Sequence, residues 1–111
     1  MKDLDKNKRR FKARVLDWAR KLDARVLTVA VRPMRKKWAS FSTAGRLTFD
    51  IDLLKLRQGL QDYVIVHELL HVHVPNHGKL WKSLMRAHLG DYEIQEAELQ
   101  RFADTASKKG R

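Results

Sequence analysis

The feature that most constrains this chain is the stretch from His67 to His77, which reads His-Glu-Leu-Leu-His-Val-His-Val-Pro-Asn-His. On an α-helix, His67 and His71 lie four residues apart, so their imidazoles project from one face with their bases about 6 Å apart. This spacing lets both rings bind one small cation. Glu68 lies about 100° further round the helix, where it can reach a water bound to that cation and act as a general base.

A third ligand is needed, because a catalytic zinc site usually has three protein ligands and one open position for water. His77 is the candidate. Pro75 lacks a backbone N–H and disfavours helix at Val74, so the helix should end there and the chain can turn back toward the metal. His73 lies two residues beyond His71 and would face away from the pair. We interpret His73 as a surface histidine or as a partner of a ligand, not as a ligand.

The alternative interpretation is a helix with no catalytic role, since an HExxH string also occurs by chance. The residues just before His67 are apolar, as a buried active-site helix requires. Burying two histidines and a glutamate there without a metal or another partner would cost several kcal/mol. We therefore predict a metal site formed by His67, His71 and His77, with Glu68 as the catalytic residue.

Length and composition limit the class of protein. The chain has 111 residues, so we predict a single domain over residues 1–111 that buries about two thirds of its unfolded surface. Because cysteine is absent, any zinc would have nitrogen and oxygen ligands. No apolar run approaches the roughly 20 residues that cross a bilayer, and the charged N-terminus is followed by no apolar signal core. We expect a cytoplasmic protein with no membrane partner.

The net charge of +11 is unevenly distributed along the chain. Residues 1–57 contain 17 Lys and Arg against 6 Asp and Glu, whereas residues 58–111 contain 7 of each kind. Such asymmetry is typical of a protein with an anionic partner, such as nucleic acid or an acidic protein, although a solvated surface is the simpler alternative. The sequence contains no known nucleic-acid motif, so binding of nucleic acid through the basic N-terminal half is a secondary hypothesis.

Hydrophobic periodicity predicts an α+β fold. An amphipathic helix is predicted over residues 5–22, and its apolar stripe consists of Phe11, Val15, Trp18, Ala19 and Leu22. β-Branched and alternating runs predict strands at 26–31, 37–42 and 47–51, and the last two are joined by a turn at 43–46. A sheet of about three strands with a hairpin follows from this pattern.

The second half of the sequence predicts helices. Asp52 is a candidate cap for a short helix over 53–58, which Gly59 interrupts. The active-site helix is predicted over 60–73 and is followed by two C-terminal helices at 79–89, which Gly90 ends, and 93–106. The first of these helices has one side formed by Leu80, Trp81, Leu84, Met85 and His88, and the last helix carries Ile94, Ala97, Leu99, Phe102 and Ala106. Residues 106–111 should form a frayed tail.

Several of these segments resemble the YgjP-like metallopeptidase family, which is related to SprT-like and minimal gluzincin-type zincins. The resemblance covers roughly residues 32–90 and is carried by Arg35 to Ser40, Gly45-Arg46, His67 to His71, Asn76-His77 and Trp81. The family usually shows Trp-Gly-Ser-Cys where this chain has Trp38-Ala39-Ser40-Phe41, and Asn where Asp50 stands. What the resemblance implies is a small zincin-like fold in which a strand lines the cleft and pairs with an extended peptide. Leu47 to Ile51 is the candidate strand.

The resemblance also bears on the ligands and on the reaction. True gluzincins use a glutamate from a later helix, so Glu93, Glu96 and Glu98 are alternatives to His77, which the Asn-His context favours. The implied function is a zinc-dependent metallopeptidase, in which Glu68 takes a proton from the attacking water and passes it to the leaving amine. The candidates for the oxyanion donor are Tyr63, Arg46, His88 and Tyr92.

Other functions stay open. We interpret Trp38 and Trp81 as hydrophobic packing around the site. The chain could instead be a basic nucleic-acid-associated protein, a SprT-like peptidase that acts on DNA-bound proteins, or a zinc-stabilised module without turnover. The chain is short for a peptidase. A further hypothesis is that a terminal segment covers the site until it moves, and the candidates for this segment are the last helix and the basic tail.

Overall fold

The computed structural model describes residues 2–106 of the chain, and the side chains of residues 3–102. The elements in chain order are α1 (Lys2–Lys21), β1 (Thr28–Arg32), β2 (Ala39–Phe41), β3 (Arg46–Asp50), a 3-10 helix (Ile51–Lys55), α2 (Gln58–Leu70), α3 (Lys79–Leu89) and α4 (Tyr92–Ala106). This order confirms the predicted α+β class. Among the described residues, no helix has both the length and the apolar composition that spanning a membrane requires.

Helix α1 packs through the predicted apolar stripe. Phe11, Val15, Ala19 and Leu22 are buried, and the Phe11 ring meets Phe49 of β3 edge to face with the centroids 5.0 Å apart. Trp18 is half-buried at the margin of this stripe. Four of the five predicted stripe residues are therefore core residues.

Polar side chains fix α1 to the start of α2. Arg14 donates from Nη1 to Oε1 of Gln61 at 2.6 Å and forms an ion pair with Asp62, which also accepts from the indole N–H of Trp18. The buried Gln61 amide donates to two carbonyls of the preceding 3-10 segment, those of Leu53 and Leu56. The start of α2 is thus held both by α1 and by the 3-10 segment.

The three strands form one sheet in the order β1-β3-β2. β3 pairs in parallel with β1, with Thr28 opposite Arg46, and antiparallel with β2, with Ser40 opposite Thr48. The predicted hairpin is present, and Gly45 in its turn has a φ of +91°, which favours glycine. β3 is the central strand, and β2 lies at an edge of the described sheet.

The connection into α2 differs from the prediction. The short helix is a 3-10 helix that begins at Ile51, and its N-cap is Asp50, with no side-chain capping hydrogen bond. The prediction of Asp52 as the cap was therefore wrong: Asp52 lies in the first turn and forms an ion pair with Lys55. Gly59 does not separate two helices, since α2 begins at Gln58.

The two C-terminal helices bury only some of their apolar side chains. Trp81 and Met85 of α3 and Leu99 of α4 are in the core, whereas Leu80 and Ile94 are 61% and 63% exposed. Gly90 ends α3 as predicted, with φ +69° and its N–H donating to the Arg86 carbonyl at 2.9 Å. Ala106 still belongs to α4, and the rest of the predicted tail lies outside the described residues.

Candidate metal centre and cleft

Helix α2 places His67 and His71 on one face, with the ring centroids 5.2 Å apart. The helix ends at Leu70, three residues before the predicted end at His73. The reason is a tightened last turn, in which the N–H groups of Val72 and His73 donate to carbonyls three residues back. His71 keeps helical dihedral angles as the C-cap, with φ −66° and ψ −14°, so the four-residue spacing survives.

The segment after Pro75 returns His77 to the pair. Nε2 of His77 lies 3.0 Å from Nε2 of His71, and its ring centroid is 4.8 Å from that of His67. One ligand atom of each histidine lies within 4.8 Å of the others, so the three could hold one metal ion. Two nitrogens bound tetrahedrally to one zinc at about 2.0–2.1 Å would be about 3.3 Å apart, which is close to the observed pair.

The ring nitrogens that point away from the cluster have partners. Nδ1 of His71 lies 3.1 Å from the carbonyl of Val74, an acceptor, so Nδ1 carries the proton in this contact and Nε2 has the lone pair. Nδ1 of His67 lies 3.3 Å from the hydroxyl of Tyr63, which in turn donates to Glu96 at 3.1 Å. Such outer contacts fix the tautomer and the orientation of a metal-binding imidazole.

Trp81 of α3 packs against all three histidines. Its ring centroid lies 5.0 Å from His67, 6.3 Å from His71 and 4.4 Å from His77, and the side chain is 2% exposed. Behind it, Tyr92 packs edge to face on the indole at 5.9 Å. Trp81 therefore forms the floor of the cluster.

Glu68 lies between two clefts. One has a volume of about 660 Å³ and is lined by residues that include Trp38, His67 and His77; the other, of about 960 Å³, includes Phe41 and His71. Glu68 contributes to both. A group bound at the histidines would thus be reached from either side, with the Glu68 carboxylate at the junction.

Strand β2 forms the side of these clefts that faces α2. Ala39 lines the first cleft and Phe41 the second. The Asp50 N–H donates to the Trp38 carbonyl, and the Ser42 N–H donates to the Arg46 carbonyl. Because bonding direction alternates along a strand, the backbone groups of Ala39 and Phe41 point away from β3.

This topology corrects one prediction. Leu47 to Ile51 was the candidate strand for pairing with a peptide, but β3 occupies residues 46–50 and already has a neighbour on each side. A central strand has no side left to pair with a peptide. The edge beside the clefts belongs to β2.

The glutamates considered as alternative third ligands are engaged elsewhere. Glu93 pairs with Arg86 and Glu98 with Arg57, and these guanidinium hydrogen bonds lower the pKa of both carboxyl groups. Glu96 accepts from Tyr63. His77 is the residue that the structure places with His67 and His71.

His73 points away from the cluster, as its position on the helix indicated. Its Nε2 lies 2.9 Å and 3.0 Å from the carbonyls of Leu22 and Asp23, just past the end of α1. A ring N–H there satisfies carbonyls that the helix leaves unpaired. His73 therefore joins the end of α1 to the segment that follows α2.

The four candidates for an oxyanion donor are now distinguished by position. Tyr63 lines the first cleft, but its hydroxyl contacts His67 and Glu96. His88 packs against Trp18 at 6.2 Å, and Tyr92 is buried against Tyr63 and Trp81, where burial raises its pKa. Arg46 begins β3 and is exposed. Of the four, Tyr63 alone is among the described residues lining these two clefts.

Some site residues were missed from the sequence. The Tyr63–Glu96 pair was considered only for other roles, although Tyr63 stands four residues before His67 and thus on its face of the helix. The edge groups of Ala39 and Phe41 were missed because alternation of side chains does not reveal which strand is outermost. Lys36 and Lys37, which line the first cleft, belong to the segment Arg35 to Ser40 that carried the resemblance, but neither was assigned a role.

Comparisons with known proteins agree with this arrangement. Residues 4–102 match a family described as YgjP-like, metallopeptidase domain. The structure resembles that of the metallopeptidase zymogen of Methanocaldococcus jannaschii jannalysin, with 26% identity, a TM-score of 0.72, and coverage of 86% of this chain and 96% of that chain.

A second solved structure shows the same fold. The metallopeptidase zymogen of Pyrococcus abyssi abylysin has a TM-score of 0.71 at 19% identity, and the match covers 91% of this chain and 99% of that one. Comparison with curated protein sequences finds no significant match. The predicted fold class is confirmed by both structural neighbours.

Proposed function

The chain belongs to the YgjP-like metallopeptidase family, and we propose from this membership and from the histidine cluster that it is a zinc-dependent peptidase. The observation that carries the proposal is the convergence of His67, His71 and His77 beside Glu68, at the junction of two clefts. A stabilising metal site without turnover would not need a carboxylate at an open cleft.

The donor set fits zinc. Three imidazole nitrogens are the ligands of several catalytic zinc sites, and the fourth position stays available to water or substrate. The contacts of Nδ1 in His67 and His71 leave the opposite nitrogens unprotonated, as metal binding requires. A bound zinc ion would supply Lewis acidity, which lowers the pKa of a coordinated water toward about 7 and polarises a carbonyl.

The protein's own residues would then do three things. Glu68 accepts the proton of the attacking water and delivers it to the leaving amine, which is the role of a general base followed by that of a general acid. The outward backbone groups of Ala39 and Phe41 pair with an extended peptide, as in strand addition to a sheet edge. Trp81 holds the histidine rings in place from below.

The decisive experiment compares the parent with Glu68→Gln. We expect Glu68→Gln to retain zinc and to lose peptide cleavage by at least about 100-fold, because general base catalysis typically contributes 10²- to 10⁴-fold. Zinc content by mass spectrometry and cleavage of casein and peptide mixtures are measured together. Glu93→Gln, which alters an exposed carboxylate on α4, is the matched control. Equal cleavage by parent and Glu68→Gln would refute the assignment.

Binding of nucleic acid stays a prediction. In its favour, α1 exposes Lys6, Arg9 and Arg10. Binding to duplex DNA that falls steeply with added salt would support it, whereas no binding at low salt would dismiss it.

Latency also stays a prediction: the relative jannalysin is described as a zymogen, and removal of residues 107–111 should raise activity if that tail covers the site.

A further inference from the structure

Both clefts are lined in part by cationic side chains. Lys36 and Lys37 line the first cleft, Arg25 lines the second, and all three are exposed. Among the described residues that line either cleft, Glu68 is the one carboxylate. Apart from the residue assigned to catalysis, the charge along the cleft is therefore entirely positive.

These three cations are not neutralised within the described part of the protein. Other basic side chains are: Arg14, Arg57 and Arg86 each form an ion pair with an aspartate or glutamate. No such pair within 4.0 Å involves the cations of the cleft in the described residues. Positive potential at the cleft thus remains available to an anionic ligand.

The loop with the two lysines is held at both ends by Asp50. One carboxylate oxygen of this buried residue accepts from the Met34 N–H at 3.0 Å, and its own N–H donates to the Trp38 carbonyl at 2.9 Å. The backbone between Met34 and Trp38 is therefore fixed relative to β3. A fixed backbone lowers the entropy cost of presenting Lys36 and Lys37 to a ligand.

Much of the wall of each cleft is apolar. Trp38, Val64 and Leu99 line the first cleft, and Leu27, Phe41 and Val72 line the second. The outward backbone groups of Ala39 and Phe41 are separated by two residues, which is about 7 Å along a strand. Lys36 and Lys37 precede β2, whereas Arg25 stands two residues before Leu27, whose N–H donates to the Gly45 carbonyl in the turn after β2. A peptide paired there would therefore have apolar side chains near Glu68 and cations toward both ends of β2.

We propose that the preferred substrate is an extended acidic peptide, with small or apolar residues at the scissile bond and carboxylate side chains flanking it on both sides. This inference rests on the proposed peptidase function. The cations at Lys36, Lys37 and Arg25 select the flanks, and the edge of β2 binds the main chain. Because the selecting charges are exposed, the selectivity should weaken as ionic strength rises.

The test uses two ten-residue fluorogenic peptides with the same Ala-Leu-Ala-Leu centre. Three residues on each side are glutamate in one peptide and glutamine in the other. With two or three exposed ion pairs, kcat/KM of the zinc-loaded parent should favour the glutamate peptide about three- to thirtyfold at 50 mM salt. At 500 mM salt the ratio should approach one.

Charge-reversal variants test which cations cause the preference for the glutamate peptide. Lys36→Glu with Lys37→Glu should bring the ratio to one or below, and Arg25→Glu should reduce it. Lys6→Glu with Arg10→Glu is the matched control: it changes the net charge equally, on exposed positions of α1 outside both clefts, and should keep the parent's ratio. An equal loss in the control would show that net charge, and not the cleft, selects the peptide, and the inference would be overturned.

A binding measurement separates this inference from the peptidase function. Fluorescence anisotropy with zinc-loaded Glu68→Gln reports peptide binding without turnover. If the parent cleaves neither peptide but the variant binds the glutamate peptide more tightly, the function is wrong and the recognition holds. If binding and cleavage show no preference for glutamate, the recognition is wrong, whatever the rate of cleavage.

Discussion

The hydroxyl of Tyr63 lies 3.3 Å from Nδ1 of His67 and donates its one proton to Glu96. In that contact Nδ1 must therefore carry the proton and donate to the tyrosine oxygen. The tautomer of His67 is set by a carboxylate on α4, although the histidine belongs to α2. If His67 binds the metal as proposed, Tyr63 is a positioning residue, since it contacts that ring and not the reacting atoms.

Removing this hydroxyl should weaken metal binding. We expect Tyr63→Phe to lower zinc affinity about 10- to 100-fold, because outer hydrogen bonds of metal-binding histidines typically contribute that much. Competition with a chromophoric chelator measures the affinity. Tyr92→Phe is the control, since it removes a hydroxyl from a buried tyrosine stacked on Tyr63 at 6.5 Å. Unchanged affinity in Tyr63→Phe would show that the contact does not position His67.

Loss of a proposed zinc ligand should lower zinc affinity more than loss of the Tyr63 hydroxyl, which contacts a ligand and not the metal. His67→Ala, His71→Ala and His77→Ala should each lower zinc affinity by more than the roughly 100-fold upper range for outer hydrogen bonds. His73→Ala and His88→Ala should bind zinc like the parent. Full zinc binding by His77→Ala would reassign the third ligand.

Asp50 should contribute to stability through the Met34 N–H. Asp50→Ala removes the acceptor from a buried site and should destabilise the protein by about 1–3 kcal/mol. Asp50→Asn keeps an oxygen in place and should cost less. Urea unfolding measures both variants. Equal losses of unfolding free energy in the two variants would mean that the Asp50 charge, and not the hydrogen-bond acceptor, provides the stability.

The ion pair between Arg57 and Glu98 should make stability depend on acid pH. The Arg57 hydrogen bond lowers the pKa of Glu98 in the folded protein, so its stabilising effect is present above the ordinary glutamate pKa of about 4.3. That effect is lost as the pH falls through the lowered value. Parent and Glu98→Gln should therefore differ in Tm at pH 7 and converge near pH 3.

A second background checks the assignment of this pH dependence. In Arg57→Gln, the change Glu98→Gln should have little effect at either pH, because the partner is absent. If Glu98→Gln still changes Tm at pH 7 in the Arg57→Gln background, the acid sensitivity comes from another contact of Glu98.

Much of the site could be predicted because its signals are local. The spacing of His67 and His71 depends only on the helical repeat, and Pro75 limits the helix whatever surrounds it. The apolar stripe of α1 was also clear, since its periodicity spans several turns. These features need no knowledge of the rest of the fold.

The parts that were missed depend on contacts between distant segments. β1 and β3 pair in parallel although β2 lies between them in the chain, so the resemblance alone did not show that Leu47 to Ile51 belongs to the central strand. The contact of Glu96 with Tyr63 requires α4 to pack on α2, and nothing local indicates that packing. The exposure of Ile94 and Leu80 shows the same limit, because an apolar residue in a short helix need not be buried.

The brevity of β2 has a consequence for the protein in the cell. An exposed sheet edge is a template on which further chains can stack, and long apolar edges are common starting points of aggregation. With three residues, β2 offers outward backbone groups at Ala39 and Phe41 only, and the exposed Lys36 and Lys37 lie three and two residues before its start. A second copy of the chain would bring the same cations to this edge. The β2 edge should therefore repel a second copy of this protein, although it can bind an acidic peptide.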